Sequence, residues 1–339
     1  MEWWPCKQVL SDKIDSTYMF LTCDDDCMAG SNGVLTNIVE LPNNKKRFEW
    51  KSNYPINYYL LSYAVAEYQD YSIYAHPEGS EPILIQNFVY DNSYYLSGNK
   101  EDIDHTIDLI EVFSDKFGLY PFANEKYGHC LTTLGGGMEH QTMTTLGSFG
   151  FGLVAHELGH MWFGDYVTCA TWKDIWINEG FASYTEYVAA ENLVTKDDAA
   201  GWMNYFHERA LREPSGSVYI PFQGPFYESR IFSSNLSYKK GAAILHTLRH
   251  EVNNDDLFFG SLQTYLSEYG NKVVKGEAFI NSMESSAHLE LEAFFKQCHY
   301  GRGHHRFDMD YPTITDALFM IVSQNALSSN TTSFAVYAR

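Results

Sequence analysis

Over the first 75 residues the apolar positions come in short β-rich bursts, Thr17–Thr22, Val34–Leu41 and Tyr58–Ala66. Turn clusters separate them: Asp24-Asp25-Asp26, Gly30-Ser31-Asn32-Gly33 and Pro42-Asn43-Asn44. Runs of β-branched and aromatic residues bounded by Gly, Asn and Asp predict antiparallel sheet. A segment containing Pro, Gly and Ser follows around His76–Pro82, then one more strand at Ile83–Tyr90, and there the period changes. Ile103, Ile107, Ile110, Val112, Phe113 and Phe117 recur near helical spacing within Asp102–Phe117, and the same pattern predicts helices over Phe151–Trp162, Asn178–Asn192, Asp198–Leu211, Tyr238–Val252 and Asp256–Tyr269. After Tyr300-Gly301-Arg302-Gly303, strand-like runs return at Ala317–Ser323 and Ser333–Ala338. The expected class is α+β, with an antiparallel β unit over 1–78, a mainly helical unit over 79–305, and the start of a further unit or tail over 306–339.

Composition narrows the function classes. Hydrophobic residues make up 45% and charged residues 19% of the 339, which excludes intrinsic disorder. Lys and Arg number 23 against 43 Asp and Glu, a net charge of −20, so nucleic acid and anionic membrane surfaces are repelled rather than bound. No apolar run approaches the ~18 residues of a membrane span. Met1-Glu2-Trp3-Trp4-Pro5-Cys6 has neither the basic nor the apolar region of a signal peptide, so none is expected in this chain. The six cysteines show no C-x-x-C pairing and are expected to be buried free thiols.

The chemistry concentrates at His156-Glu157-Leu158-Gly159-His160, inside a predicted helix. Positions i and i+4 share a helix face, so both imidazoles can reach one ion with Glu157 beside them. Zn²⁺ accepts neutral imidazole nitrogens and usually keeps three protein ligands in a catalytic site. The five-residue pattern arises by chance about 0.03 times per sequence of this length, so a third ligand is what gives it weight. Glu179, in Asn178-Glu179-Gly180-Phe181-Ala182 at the start of the next helical segment, is that candidate. A helical hairpin would bring it back to the pair. Two His and one Glu leave a fourth position for water, whose pKa zinc lowers to ~7, with Glu157 as general base. Glu186, seven residues after Glu179, and Asp174 are candidates to orient the histidines. Cys298-His299 with His304 and His305 fits no ligand spacing and is expected to be a polar loop.

His156–Asp165 (His-Glu-Leu-Gly-His-Met-Trp-Phe-Gly-Asp) and Trp172–Tyr184 together resemble the zinc aminopeptidases of the aminopeptidase N family, the gluzincins of peptidase family M1. Gly136-Gly137-Met138-Glu139-His140 is similar to that family's Gly-x-Met-Glu-Asn exopeptidase signature, with His140 in place of Asn. Leu236-Ser237-Tyr238-Lys239-Lys240-Gly241 is similar to its Ser-Tyr-x-Lys-Gly segment. The resemblance covers residues 3–305 and implies a chain truncated at both ends: a partial N-terminal β domain, then a thermolysin-like catalytic domain. No residue here matches the family's upstream Gln or Glu on the substrate amine.

By this resemblance the protein is a zinc metallo-aminopeptidase that removes N-terminal residues from peptides with a free N-terminus, using one Zn²⁺ per chain. His156, His160 and Glu179 would hold the metal, Glu157 would be the base, and Tyr238 would stabilise the oxyanion. Gly136, Gly137, Met138 and Glu139 would bind substrate, Glu139 taking the α-ammonium. Similar bacterial enzymes are exported, which implies a periplasmic or secreted location. Two alternatives stand beside it: a thermolysin-type endopeptidase, which would cut N-acetylated peptides, and a catalytically inert zinc-binding or peptide-binding fragment.

Overall fold

The computed structural model describes residues 4–221, 228–302, 305–310, 313–314, 317–318 and 321–326. It begins with five strands: β1 (Thr17–Asp24), β2 (Met28–Ser31), β3 (Val34–Leu41), β4 (Lys45–Ser52) and β5 (Tyr63–Ala66). β1, β4 and β3 form an antiparallel sheet in that order, and β2 pairs with β5. The apolar bursts do not announce β4. Its charged residues Lys45, Lys46, Arg47, Glu49 and Lys51 mask an alternation in which Phe48, Trp50 and Ser52 are buried. The expected strand Tyr58–Ala66 forms only from Tyr63, because Leu60 N–H turns back to the Asn57 carbonyl at 3.0 Å.

β6 (Tyr68–Ala75), β7 (Ile83–Tyr90), α1 (Ser93–Phe117), β8 (Tyr127–Leu131), β9 (Gly137–Met138) and β10 (Thr144–Leu146) follow. They build a five-stranded sheet in the order β6-β7-β8-β10-β9, with β9 at its edge. β6 and β7 pair from Tyr68 opposite Tyr90 to Ala75 opposite Ile83, so residues 76–82 are the turn of one hairpin. The division expected at residue 78 therefore cuts a hairpin. Pro and Gly mark turns within a sheet as readily as linkers between units, and we propose that the change of unit falls at Glu67, between β5 and β6. α1 starts before the predicted Asp102 because the Asn92 side chain caps it, accepting from Tyr94 N–H. The two parts share one core. Trp50 of β4 meets Phe88 of β7 edge to face, ring centroids 6.2 Å apart, each ring contributing roughly 1.5–3 kcal/mol by burial.

The remainder is mostly helical: α2 (Phe151–Gly159), β11 (Thr168–Cys169), α3 (Trp176–Leu193), α4 (Lys196–Leu211), α5 (Glu228–Ile231), α6 (Gly241–Val252), α7 (Asp255–Tyr269), β12 (Val273–Val274), α8 (Gly276–Ala287) and α9 (Glu292–Cys298). The sequence pattern does not announce α8, whose buried face of Phe279, Met283 and Ala287 is diluted by Gly276 and Ser282. α3 is the central element, buried continuously from Trp176 to Ala190. It meets the start of α6 at a glycine pair. A Cβ on Gly180 would lie 3.0 Å from the Gly241 Cα, and one on Gly241 would lie 2.9 Å from the Gly180 Cα. Glu179 and Tyr238 flank that contact, so the close approach holds both in one neighbourhood.

Short strands close the described chain: β13 (His305–Asp310), β14 (Thr313–Ile314), β15 (Ala317–Leu318) and β16 (Ile321–Ala326), with β13 antiparallel to β16. The expected run Ala317–Ser323 falls on β15 and β16, and Ser333–Ala338 lies outside the described residues. Cys6, Cys23, Cys27, Cys130 and Cys169 are free thiols; Cys23, Cys130 and Cys169 are buried, and Cys6, Cys27 and Cys298 are partly exposed. Among the described residues no helix is long and apolar enough to cross a membrane.

Candidate active site

α2 packs on α3 and delivers His156 and His160 to one face, ring centroids 4.9 Å apart and planes at 81°. Glu179, one turn into α3, points its Oε2 between them, 3.4 Å from His156 Nε2 and 3.2 Å from His160 Nε2. The three ligand atoms lie within 4.8 Å of one another. The opposite ring nitrogens are engaged elsewhere. His156 Nδ1 donates to Glu186 Oε1 at 2.9 Å, and His160 Nδ1 donates to the Phe163 carbonyl at 3.1 Å. With Nδ1 engaged on both rings, Nε2 is the nitrogen that faces the common point, where it can offer a lone pair once its proton is displaced. Two imidazoles and a carboxylate arranged this way are a donor set that suits Zn²⁺.

Glu186 is a hub. It also accepts from Lys239 Nζ at 2.8 Å and Trp202 Nε1 at 3.1 Å. Asp174, the other candidate orienting acid, is not there: it accepts from Thr171 Oγ1 at 2.7 Å and from Gly276 N–H at 2.9 Å, at the start of α8.

The electrostatics follow from burial and these contacts. Burial pulls the His156 pKa down, but hydrogen bonds to Glu179 and Glu186 outweigh it and lift the group to about 9. Burial pushes Glu179 up, and the charges and hydrogen bonds of His160 and His156 hold its carboxyl well below the usual range. For Glu157 burial outweighs the neighbouring charges. Burial raises it to about 7, with His156 and His160 opposing, which is where a general base at neutral pH works best. β9 passes so close to Glu157 that a Cβ on Gly137 would lie 2.5 Å from Oε1, so a side chain there would displace the carboxylate.

Tyr238 lies in a wide π-helical turn, Ser234–Lys240, where a regular helix was expected. Such turns are rare and frequent at functional sites. Its ring stacks on His156 at 5.8 Å and 9°. Burial, with Glu179 adding to it, raises its pKa, so the phenol keeps its proton as a donor at neutral pH.

These groups line a cavity of about 800 Å³ together with Gly137, Met138 and Glu139. Glu139 is buried at 8% exposure, and burial raises its pKa, with His160 opposing. Gly136 is in the turn just before β9, at φ 80°. His140 turns away from the cavity, its Nδ1 2.8 Å from Thr145 Oγ1. Sequence reasoning did not single out Gln8, Tyr58, Tyr59 and Phe232, and named Trp172 only as the start of a motif; all five line the cavity. Nothing in their local pattern marks them, since Tyr and Trp at such positions read as core. Nor is Cys298-His299 a polar loop: His299 is buried at 3% exposure, its ring 5.0 Å from that of Trp176, and burial with Lys240 lowers its pKa to about 4. His304 lies outside the described residues.

Comparison with known proteins accords with this geometry. The peptidase family M1 domain matches residues 101–298. Mouse (Mus musculus) endoplasmic reticulum aminopeptidase 1 is 32% identical over 202 residues, covering 53% of this chain and 22% of that protein. Bovine (Bos taurus) aminopeptidase N is 36% identical over 151 residues, 41% of this chain and 14% of that protein. The crystal structure of an M1 zinc metallopeptidase mutant from Deinococcus radiodurans, bound to a Tyr-Ser-Ala substrate, matches with a TM-score of 0.77. It is 25% identical, and the match covers 89% of this chain and 67% of that one. This chain thus spans about a fifth or less of the length of these curated relatives. Because the domain match takes in both histidines, Glu179, the Glu139 loop and Tyr238, the chain belongs to peptidase family M1.

Proposed function

We propose that this chain is the catalytic unit of a zinc aminopeptidase acting on peptides with a free N-terminus. The observation that carries the reading is the convergence of His156 Nε2, His160 Nε2 and Glu179 Oε2 in a cavity whose wall holds the buried Glu139. His156, His160 and Glu179 are the residues that would hold the metal. Bound there, Zn²⁺ supplies Lewis-acid activation of a water and of the scissile carbonyl.

The other roles belong to the chain's own residues. Glu157 takes a proton from the attacking water and passes it to the departing amine. The Tyr238 hydroxyl donates to the oxygen on which negative charge develops, a kind of contact worth roughly 2.7–4 kcal/mol elsewhere. Gly137 and Met138 form the edge strand of the sheet, against which an extended peptide can pair. Glu139 takes the α-ammonium and so sets the first peptide bond over the metal. Peptidase family M1 membership and the aminopeptidase names of the relatives support the aminopeptidase reading.

The test is turnover of aminoacyl anilides by the zinc-loaded protein. Glu157→Gln is expected to lower kcat by roughly 10²–10⁴ while zinc stays bound. Activity that survives the substitution overturns the mechanism, and cleavage of N-acetylated peptides at rates equal to free ones makes the protein an endopeptidase.

A further inference from the structure

The loop between β9 and β10 contains a backbone outlier three residues beyond Glu139. Thr142 has φ 65°, a left-handed conformation that a β-branched residue adopts only when its surroundings enforce it. It is fully buried, and every polar group on it is tied down by a different part of the chain. Gly33 N–H, from the turn between β2 and β3, donates to Thr142 Oγ1 at 2.7 Å. Lys126 Nζ, just before β8, donates to the Thr142 carbonyl at 2.7 Å. Thr142 N–H donates to the sulfur of Met161, the residue after His160, at 3.5 Å.

Next to Gly33, the buried Asn32 uses its whole amide. Nδ2 donates to the Gln141 carbonyl at 2.7 Å and to the Leu60 carbonyl at 2.9 Å, while Oδ1 accepts from Ser62 N–H at 2.9 Å. One side chain of the N-terminal β unit thus joins the loop that carries Glu139 to the segment that carries the cavity residues Tyr58 and Tyr59.

We propose that Asn32 and Thr142 are positioning residues for Glu139: the β2–β3 turn braces a strained loop and so sets the distance from the amine-binding carboxylate to the metal ligands. The proposal rests on the reading of Glu139 given above. It assigns the N-terminal β unit a part in exopeptidase register, although that unit supplies no metal ligand. A loop released from the brace relaxes toward φ below zero, and the turn that carries Glu139 moves with it.

Thr142→Gly removes the hydroxyl that holds Gly33 N–H, and because glycine adopts φ of either sign the loop is then free to leave the braced conformation, whereas Thr142→Ser restores the hydroxyl. The readout is calorimetric binding to zinc-loaded Glu157→Gln protein of a dipeptide amide with a free N-terminus and of its N-acetylated counterpart. Aminoacyl anilide kinetics of the same variants in the wild-type background accompany it. The proteins carrying Glu157→Gln alone are expected to prefer the free amine. Adding Thr142→Gly, or Asn32→Ala as a second route, is expected to reduce that preference about tenfold and to raise KM more than it lowers kcat. Zinc stoichiometry is expected to stay unchanged, with Thr142→Ser close to the parent. In a cycle with Glu139→Ala, the Thr142→Gly effect on binding is expected to vanish. A parent that does not distinguish the two ligands removes the amine-binding reading and the brace with it. Discrimination retained in both Thr142→Gly and Asn32→Ala, or equal losses with and without Glu139, overturns the brace alone.

Discussion

Two helices of this protein carry histidines four residues apart, and among the described residues only one pair meets a third ligand atom. On α2, His156 and His160 have ring centroids 4.9 Å apart with planes at 81°. On α6, His246 and His250 have centroids 4.9 Å apart at 88°. Local geometry is the same, as helix periodicity requires. What differs is the wall opposite. α3 turns Glu179 and Glu186 toward the first pair. Toward His246 it turns the rings of Tyr184 and Tyr187, and His207 of α4 joins them. Among the described residues no third ligand atom completes a set within 4.8 Å around His246 and His250. Burial and the neighbouring His250 and His207 lower His246 to about 4, whereas carboxylates lift His156 to about 9 against an even deeper burial. A helical His pair is thus a half-site, and the facing helix decides its chemistry.

Removing Glu179 breaks the contrast most sharply. Glu179→Ala is expected to abolish stoichiometric zinc and anilide turnover, whereas the double change of His246 and His250 to Ala leaves zinc at one per chain by metal analysis. Zinc lost with the α6 pair instead of with Glu179 would put the metal on the wrong helix. A smaller effect comes from the acid behind His156. Glu186→Gln keeps the shape but weakens the hold on the Nδ1 proton, and is expected to cost 10–100-fold in zinc affinity by competition with a chelator. Unchanged affinity would make Glu186 a partner of Lys239 and Trp202 alone.

The smallest effect is on stability of the zinc-free protein, and it has opposite sign for the two pairs. His156 is raised in the folded state, so its contribution is fully present below pH 6.5 and is lost as pH rises from 6.5 through about 9. His246 is lowered, so the folded state does not suffer from it above pH 6.5 and loses stability as pH falls from 6.5 through about 4. His246→Phe is therefore expected to flatten the acid side of the melting profile, by about 1–2 °C for each kcal/mol recovered in a chain of this length. A His156→Asn variant is expected to flatten the alkaline side. Identical profiles for both variants would show that the facing carboxylates do not set the difference.

Much of the site was legible in the sequence because its parts are close together along it. His156, Glu157, His160 and Glu179 lie on two consecutive helices with a short connection, and the motif spacing describes their mutual geometry. Val34–Leu41 and Ile83–Tyr90 were legible as strands for the same reason, as runs rich in β-branched and aromatic residues bounded by turn residues are local signals. β4 was not, because its outer face is charged and its central position between β1 and β3 is a tertiary fact. Nor was the hairpin across residue 78, since composition does not say whether a turn separates units or folds one sheet on itself.

What the sequence determined alone is the chemistry available: which residues can ligate, accept a proton or carry a helix, set by side-chain type and by the 3.6-residue and two-residue periods. The tertiary structure decided which of these chemistries are used. It sent Asp174 to the start of α8 and Glu186 to His156, brought no third ligand to His246 from among the described residues, and pinned Thr142 between Gly33 and Lys126. The physical reason is distance along the chain. A hydrogen bond such as Gly33 N–H to Thr142 Oγ1 or Gly276 N–H to Asp174 Oδ1, between residues more than a hundred positions apart, has no period and no motif, and forms only when the core around Trp50, Phe88 and α3 has brought both ends to the same place.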